Sequence, residues 1–295
     1  MASVRPAAAL PNSGTAAADP QREFAFSKHD FEFLAALAYK RAGISLSDSK
    51  HNLVYGRLSR RLRALGLSSF GEYREYLEGD ASEIERFINS ISTNHTKFFR
   101  EDHHFTHLRS CVAQTFAQQD QKRAVRRLRV WSAGCSTGEE PYTIALVLRR
   151  EIADMARQDV KILATDIDTD VLAKASRGEF SADALDNVPD PFCRYFQPTE
   201  GSDGATIKVT QDVRSLITFR PLNLMETWPM KGPFDAIFCR NVMIYFDGPT
   251  KTKLIERFIR LIKPNGFLYI GHSESLLGSH PGLQLMGRTI YRRDA

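Results

Sequence analysis

The stretch V-W-S-A-G-C-S-T-G-E-E-P-Y, Val130 to Tyr142, decides the fold. An apolar run ends at Ser132, a turn of small residues follows, and a helix is expected to begin near Glu139. Gly134 and Gly138 let the backbone turn tightly and approach a ligand closely. Around this stretch, short apolar strands alternate with helical patterns. Strands are expected at Val130–Ser132, Ile162–Thr165, Ile217–Phe219, Phe234–Cys239 and Phe267–Ile270. Helices are expected at Glu139–Ala156, Asp170–Arg177 and Thr250–Ile262. Alternation of this kind predicts an α/β fold with a doubly wound, mostly parallel sheet. Leu283–Met286 and Thr289–Arg292, separated only by Gly287 and Arg288, predict a terminal antiparallel hairpin.

Upstream the pattern is helical throughout. Ser27 with Asp30 resembles a capping box, and Gly43 stands where a helix would stop. Further helices are expected over Asp48–Leu65, over Ser69–Glu78, and from Asp80 onward, where Ile84, Phe87, Ile88 and Ile91 follow helical spacing. A longer helix carries the stripe Phe105, Leu108, Val112 and Phe116, and the basic run Lys122, Arg123, Arg126, Arg127 and Arg129 follows it. Phe180 to about Val213 interrupts the later alternation with Pro189, Pro191, Pro198, Gly201 and Gly204. Its short alternating run at Thr206–Thr210 predicts an inserted subdomain with a small antiparallel element.

Composition narrows the class. At 295 residues, with 42% hydrophobic and 25% charged, the chain has room for one large core and a smaller module. No apolar run approaches the roughly 20 residues of a membrane span. Pro6, Pro11, Asn12, Ser13 and Gly14 interrupt the Ala-rich start, so residues 1–22 read as a disordered tail and not as a signal peptide. Cys111, Cys135, Cys193 and Cys239 form no C-x-x-C pair, which predicts a reduced cytoplasmic protein without a zinc site. His103 and His107 have a metal-compatible i, i+4 spacing but no third ligand in sequence, so no metal is expected. The net charge of +5 and pI near 9.0 fit an acidic partner, either nucleic acid or an acidic protein surface.

The candidate site lies at the carboxyl ends of the expected strands, where doubly wound sheets bind ligands. The turn after the first strand is not G-x-G-x-x-G, and Glu139 and Glu140 occupy the helix start where a pyrophosphate would sit. They would repel phosphate and suit a cation, such as a ligand bearing a sulfonium and an ammonium group. Two glutamates in a first turn also suit the helix dipole, which explains the acidity but not the turn before it. Asp166, ending the second strand, is placed to accept hydrogen bonds from ribose hydroxyls, with Asp168 as a helix cap or supporting group. Asn223 and Asn241 close the third and fourth strands and should face the same crevice.

Several motifs carry a family resemblance. T-N-H-T-K-F-F-R (Thr93–Arg100), S-A-G-C-S-T-G-E-E-P-Y (Ser132–Tyr142), A-T-D-I-D (Ala164–Asp168), F-D-A-I-F-C-R-N-V-M-I-Y-F (Phe234–Phe246) and G-H-S-E (Gly271–Glu274) occur in order. The sequence resembles the chemotaxis receptor methyltransferases (CheR family) from about Phe24 to its end. The resemblance implies a class I methyltransferase-like fold, S-adenosyl-L-methionine as cofactor, and methyl esterification of receptor glutamates. It implies that Asn94, Thr96, Arg100, Glu140, Asp166, Asn223, Leu224, Asn241 and Val242 line the cofactor site, beside Gly134 of the turn. The chain then divides into a tail (1–22), a helical substrate-docking domain (23–92), a linker and helix (93–129) and a cofactor-binding catalytic domain (130–295). The insertion at about 180–213 matches the family's small receptor-docking β-subdomain.

The chemistry asks little of acid–base groups. A glutamate nucleophile is already ionised at neutral pH, so orientation and exclusion of water are the enzyme's tasks. Arg100 offers a planar fork for a carboxylate, either the cofactor's or the substrate's, and Tyr245 can present a hydroxyl to the reacting centre. Against these stand an Arg100 pairing with Glu101 or Asp102 and a Tyr245 that fills core space. On the Asp48–Leu65 helix, Arg57, Arg60 and Arg63 fall opposite Val54, Leu58, Leu62 and Leu65, with Arg61 flanking. This stripe is a candidate dock for the acidic, helical cytoplasmic region of a membrane chemoreceptor, although a solvated face gives the same pattern. A receptor C-terminal tail is a second expected partner, and the chain is expected to act as a cytoplasmic monomer without membrane insertion. Two rival readings are a nucleic-acid methyltransferase and a non-catalytic S-adenosylmethionine-binding signalling module. The first lacks the prolines of an N/D-P-P-Y/F/W turn at Asn241–Ile244, and the second does not account for Arg100 with Tyr245.

Overall fold

The computed structural model describes residues 22–117, 125–199, 204–274, 276 and 280–295. The expected tail over 1–21 and the basic residues Lys122 and Arg123 lie outside the described residues.

Four helices open the chain: α1 (Lys28–Ala42), α2 (His51–Leu65), α3 (Phe70–Gly79) and α4 (Ala81–Ile91). Three of the four starts are capped by a local side chain. Ser27 and Asp30 form the reciprocal capping box of α1, Ser69 caps α3 and Asp80 caps α4. Gly43 and Gly66 end α1 and α2 in the left-handed conformation. A single 3₁₀ turn, Asp48–Lys50, replaces the first turn expected of α2. The inner faces meet in a core that includes Phe31, Leu34, Leu58, Leu62, Tyr73 and Phe87. One ion pair is enclosed by this core. Glu83 is 2% exposed, receives both the Nε–H and an Nη–H of Arg61 at 2.6 Å, and accepts the Tyr73 hydroxyl at 3.0 Å.

Helix α5 (His103–Ala117) packs on α6 (Glu139–Glu151). The sheet contains β1 (Arg127–Ala133), β2 (Asp159–Asp166), β6 (Ile217–Pro221), β7 (Phe234–Cys239), β8 (Ile262–Ile270), β9 (Leu283–Gly287) and β10 (Ile290–Arg293). Its order is β6-β2-β1-β7-β8-β10-β9. The first five strands run parallel and β10 runs antiparallel to both its neighbours. The chain leaves β1 toward β2 and β6, then returns to the other side of β1 with β7. That reversal opens a crevice at the carboxyl ends of β1 and β7. Successive residues of β1 serve opposite faces. Val130 joins the core under α5 and α6, while Trp131 joins the core under α10 (Gly248–Leu261).

After α7 (Thr169–Arg177) the insertion forms a second sheet, β3 (Glu179–Ser181), β5 (Thr206–Val209) and β4 (Phe196–Pro198), antiparallel with β5 central. Short helices α8 (Asp190–Cys193) and α9 (Gln211–Arg214) complete it. Phe98 sets its ring edge-on to Phe180 and Phe196, and Phe99 lies 4.9 Å from Phe192, so the linker motif is pinned to the insertion.

Strands β1, β2 and β8 start three to five residues earlier than expected, and two other boundaries differ for a specific reason. Helix α6 stops at Glu151 and not at Ala156, because burial of Ile152 and Met155 draws the chain onto the core. The terminal hairpin turns at Arg288 and Thr289, both with positive φ, one residue later than the sequence spacing placed it. Positive φ at both central residues matches the twist of the flanking strands.

Replacing Glu83 with alanine leaves the half-buried Arg61 and the buried Tyr73 without their partner. The Glu83→Ala chain is expected to lose about 3–5 kcal/mol of stability in the helical module, read as an earlier far-UV transition in urea.

Candidate active site

The crevice is built from strand ends. After β1 the chain turns through Gly134 (φ 87), Ser136 (φ 49) and Gly138 (φ 106). The turn is held by β2. Thr165 O accepts the N–H groups of Gly134 and Cys135 at 2.8 and 2.9 Å, and Asp166 Oδ2 accepts the Ser136 N–H at 2.8 Å. A side chain at Gly134 is excluded, since a Cβ there would lie 2.3 Å from Val242 Cγ2. The loop after β7 therefore closes directly onto the turn after β1.

Glu140 lies at the floor of this cleft. Its carboxylate accepts the Ser132 hydroxyl at 2.7 Å and an Arg240 N–H at 3.1 Å. Burial pushes its pKa up, with Arg240 and Ser132 opposing the rise. Glu139 is bound instead to the Thr137 hydroxyl at 2.6 Å and does not line the cleft. Asp166 is buried, and its second oxygen accepts the Asp168 N–H at 3.0 Å; burial pushes this carboxyl up as well. Asp168 caps α7 through the N–H groups of Asp170 and Val171, and accepts the Asn94 amide at 2.7 Å.

Apart from Glu139 and the supporting Asp168, the crevice residues named from the sequence line this cleft. Asn94, Thr96 and Arg100 come from the segment after α4, Gly134 and Glu140 from the first strand and helix, and Asp166 from β2. Asn223 and Leu224 follow β6, and Asn241, Val242 and Tyr245 follow β7. Ala42, Ile44 and Ile91 of the helical module add an apolar wall. Asn223 donates to Arg41 O at 2.6 Å and Tyr245 O accepts the Ser45 N–H at 2.8 Å, so the module is seated on the crevice rim. Among the described residues, the Arg100 guanidinium pairs with neither Glu101 nor Asp102, and donates to His95 O at 2.8 Å.

The α2 arginines have separate fates. Arg61 is the Glu83 partner, and Arg57 donates to Ile91 O, Ser92 O and the Thr93 hydroxyl, which fixes the start of the linker. Arg63 is exposed and meets Glu23 at 3.0 Å, and Arg60 is exposed. His103 and His107 are engaged by Arg288 O and the Tyr269 hydroxyl, at 3.0 and 2.9 Å.

Two side chains at the cleft were not singled out from the sequence. Arg240 is 5% exposed and bridges Glu140 to Glu101; the signal was a lone arginine closing the apolar strand F-D-A-I-F-C. Ser136 has a buried hydroxyl without a partner among the described residues. No local pattern marks that hydroxyl.

Comparison with known proteins decides the family. The family model described as CheR methyltransferase, all-alpha domain, matches residues 29–92, and the model described as CheR methyltransferase, SAM binding domain, matches residues 94–292. The chain belongs to the CheR methyltransferase family. The chemotaxis protein methyltransferase 2 of Pseudomonas aeruginosa is 42% identical over 96% of this chain and 99% of its own length. The chemotaxis protein methyltransferase of Escherichia coli is 44% identical over 90% of this chain and 91% of its own length. A probable chemotaxis protein methyltransferase of Rhizobium etli is 45% identical over 87% and 96%. As a CheR methyltransferase, the chain uses S-adenosylmethionine, and the cleft fits that molecule. A buried carboxylate at the floor suits its positive charge, the unpartnered Ser136 hydroxyl offers a hydrogen bond, and Ile91, Leu224 and Val242 give apolar walls.

Proposed function

We propose that this methyltransferase esterifies glutamate side chains of chemoreceptors, with the crevice between β1 and β7 as its cofactor site. The observation that carries the reading is the mostly enclosed carboxylate of Glu140 in a cleft with both polar and apolar walls, lined also by Arg100 and Tyr245. When bound, S-adenosylmethionine supplies an electrophilic methyl group on a positively charged sulfur.

The protein's own residues orient and enclose. Asp166 would accept from the ribose hydroxyls and Glu140 would balance the cationic end, with Asn94, Thr96, Asn223, Leu224, Asn241 and Val242 completing the pocket. Arg100 holds a carboxylate through its fork, and Tyr245 presents its hydroxyl at the transfer centre. No general base is needed, because the attacking glutamate is ionised at neutral pH. Charge is lost in the transition state, so the apolar walls favour the reaction by keeping water from the reactants.

The division of labour follows the modules: residues 23–92 dock the substrate and residues 130–295 perform the chemistry. The exposed Arg60 and Arg63 attract the acidic cytoplasmic helices of the receptor, while Arg57 and Arg61 fix the module that carries them. The edges of the three-stranded insertion, β3 and β4, suit strand addition by a receptor C-terminal tail. No helix among the described residues is long and apolar enough to cross a membrane, and we place the enzyme in the cytoplasm as a monomer.

Incubation of the enzyme with labelled cofactor and receptor-bearing membranes should give label on the receptor that mild base releases as methanol. Base-stable label on receptor or nucleic acid would overturn the ester assignment. Double substitution of Arg60 and Arg63 by alanine should raise KM for receptor, most at low salt where screening is weakest, with cofactor affinity unchanged. The cofactor affinity itself should depend on pH. Glu140 must be ionised to face a cation and its pKa is raised, so binding is full above that pKa and weakens as pH falls through it. Calorimetric titration should show this fall. Glu140→Gln should bind about 10- to 100-fold more weakly with a flatter pH profile, Asp166 supplying what dependence remains.

A further inference from the structure

Beyond the cleft, one buried carboxylate has no part in the proposed contacts with cofactor or substrate. Glu274 follows β8 and is 4% exposed. Its Oε2 accepts the N–H groups of Gly271 at 2.6 Å and Asn241 at 2.9 Å, and its Oε1 accepts the Ile244 N–H at 3.1 Å. Convergent backbone N–H groups form an anion site, and here a side chain of the same protein fills it. Charge-assisted bonds of this kind offset the cost of burying the carboxylate.

The segment it clamps is the one that supplies Asn241, Val242 and Tyr245 to the cleft. Asn241 has φ 59, in the left-handed region that asparagine enters more readily than other residues bearing a Cβ, though still at a small cost. It persists because both sides are fixed. Val242 abuts the turn at Gly134, and Gly271 comes so near that a Cβ there would lie 2.6 Å from Asn241 Nδ2 and 2.9 Å from Glu274 Oε2. Without the carboxylate, the N–H groups of Asn241 and Ile244 lose their acceptor, and nothing on that side holds the left-handed turn.

We infer that Glu274 is a positioning residue for methyl transfer, acting through the backbone of the Asn241–Tyr245 loop. The inference rests on the S-adenosylmethionine reading of the cleft. Its side chain touches neither cofactor nor substrate; it fixes where Asn241 and Val242 meet the cofactor and where Tyr245 meets the reacting carboxylate.

The test uses the full chain with Glu274→Gln, which keeps the shape but presents an amide N–H₂ to one of the backbone donors. S-adenosylhomocysteine binding is measured by calorimetry, and kcat and both KM values are measured with receptor-bearing membranes. On folded variant, kcat is expected to fall by about 100-fold, the scale of a misplacement near 1 Å, with weaker cofactor binding and an unchanged receptor KM. A merely structural role would lower the fraction of active protein and leave cofactor Kd and KM where they were; that result overturns the inference. Should the glutamine form fail to accumulate, Glu274→Asp carries the test, since it keeps the charge and withdraws the carboxylate by one methylene. An intermediate loss of kcat supports the inference, and wild-type kcat with wild-type cofactor Kd overturns it. Wild-type enzyme that binds no S-adenosylhomocysteine would instead sink the reading of the cleft, which separates the two failures.

Discussion

The guanidinium of Arg240, enclosed between two carboxylates, is the contact on which the site depends. It reaches Glu140 at 3.1 Å and Glu101 at 3.4 Å, bonds to Arg100 O, and stacks over Phe105. These groups belong to the helix after β1, the linker and the end of β7. One side chain thus joins the three segments that form the cleft floor. A buried charge without its partner costs several kcal/mol, so each segment is held in place by the requirement that the others stay.

The same cluster sets the local charge. His104 is buried beside Glu101, and burial with the nearby Arg240 pushes its pKa down to about 3, so it is neutral at physiological pH. Two carboxylates then face one guanidinium. Glu101, helped by His272 and Arg240, is held below the usual glutamate range, whereas the more deeply enclosed Glu140 is pushed above it. The anion that the protein compensates least is therefore the one at the cleft floor. A cationic cofactor relieves that charge and a phosphate would aggravate it, which separates this crevice from a dinucleotide site that shares the order of the five parallel strands.

Much of this was legible in the sequence because the signals are local. Ser27, Asp30 and Gly43 mark one helix, the apolar runs mark the parallel strands, and carboxyl ends of such strands are where ligand-binding side chains collect. What escaped depends on neighbours distant in the chain. Helical periodicity placed Arg57 opposite the apolar face and Arg61 flanking it, but α4 and the linker engage them with Glu83 and the carbonyls of Ile91 and Ser92. The end of α6 was missed because no glycine or proline marks it; burial of Ile152 and Met155 decides it. Glu274 could be read as part of a motif, yet only folding shows that its carboxylate meets the backbone more than thirty residues away.

The helical module is more than a docking platform, since its own residues complete the pocket. Ala42, Ile44 and Ile91 form a wall, and Ser45, Arg41 and Asn89 bond across to Tyr245, Asn223 and Thr169. Gly43 packs so tightly that a Cβ would lie 2.6 Å from Met225 Sδ. The wall of the cleft and the contacts that seat the module on its rim thus belong to one folded unit, so whatever loosens that seating also opens the cleft to water.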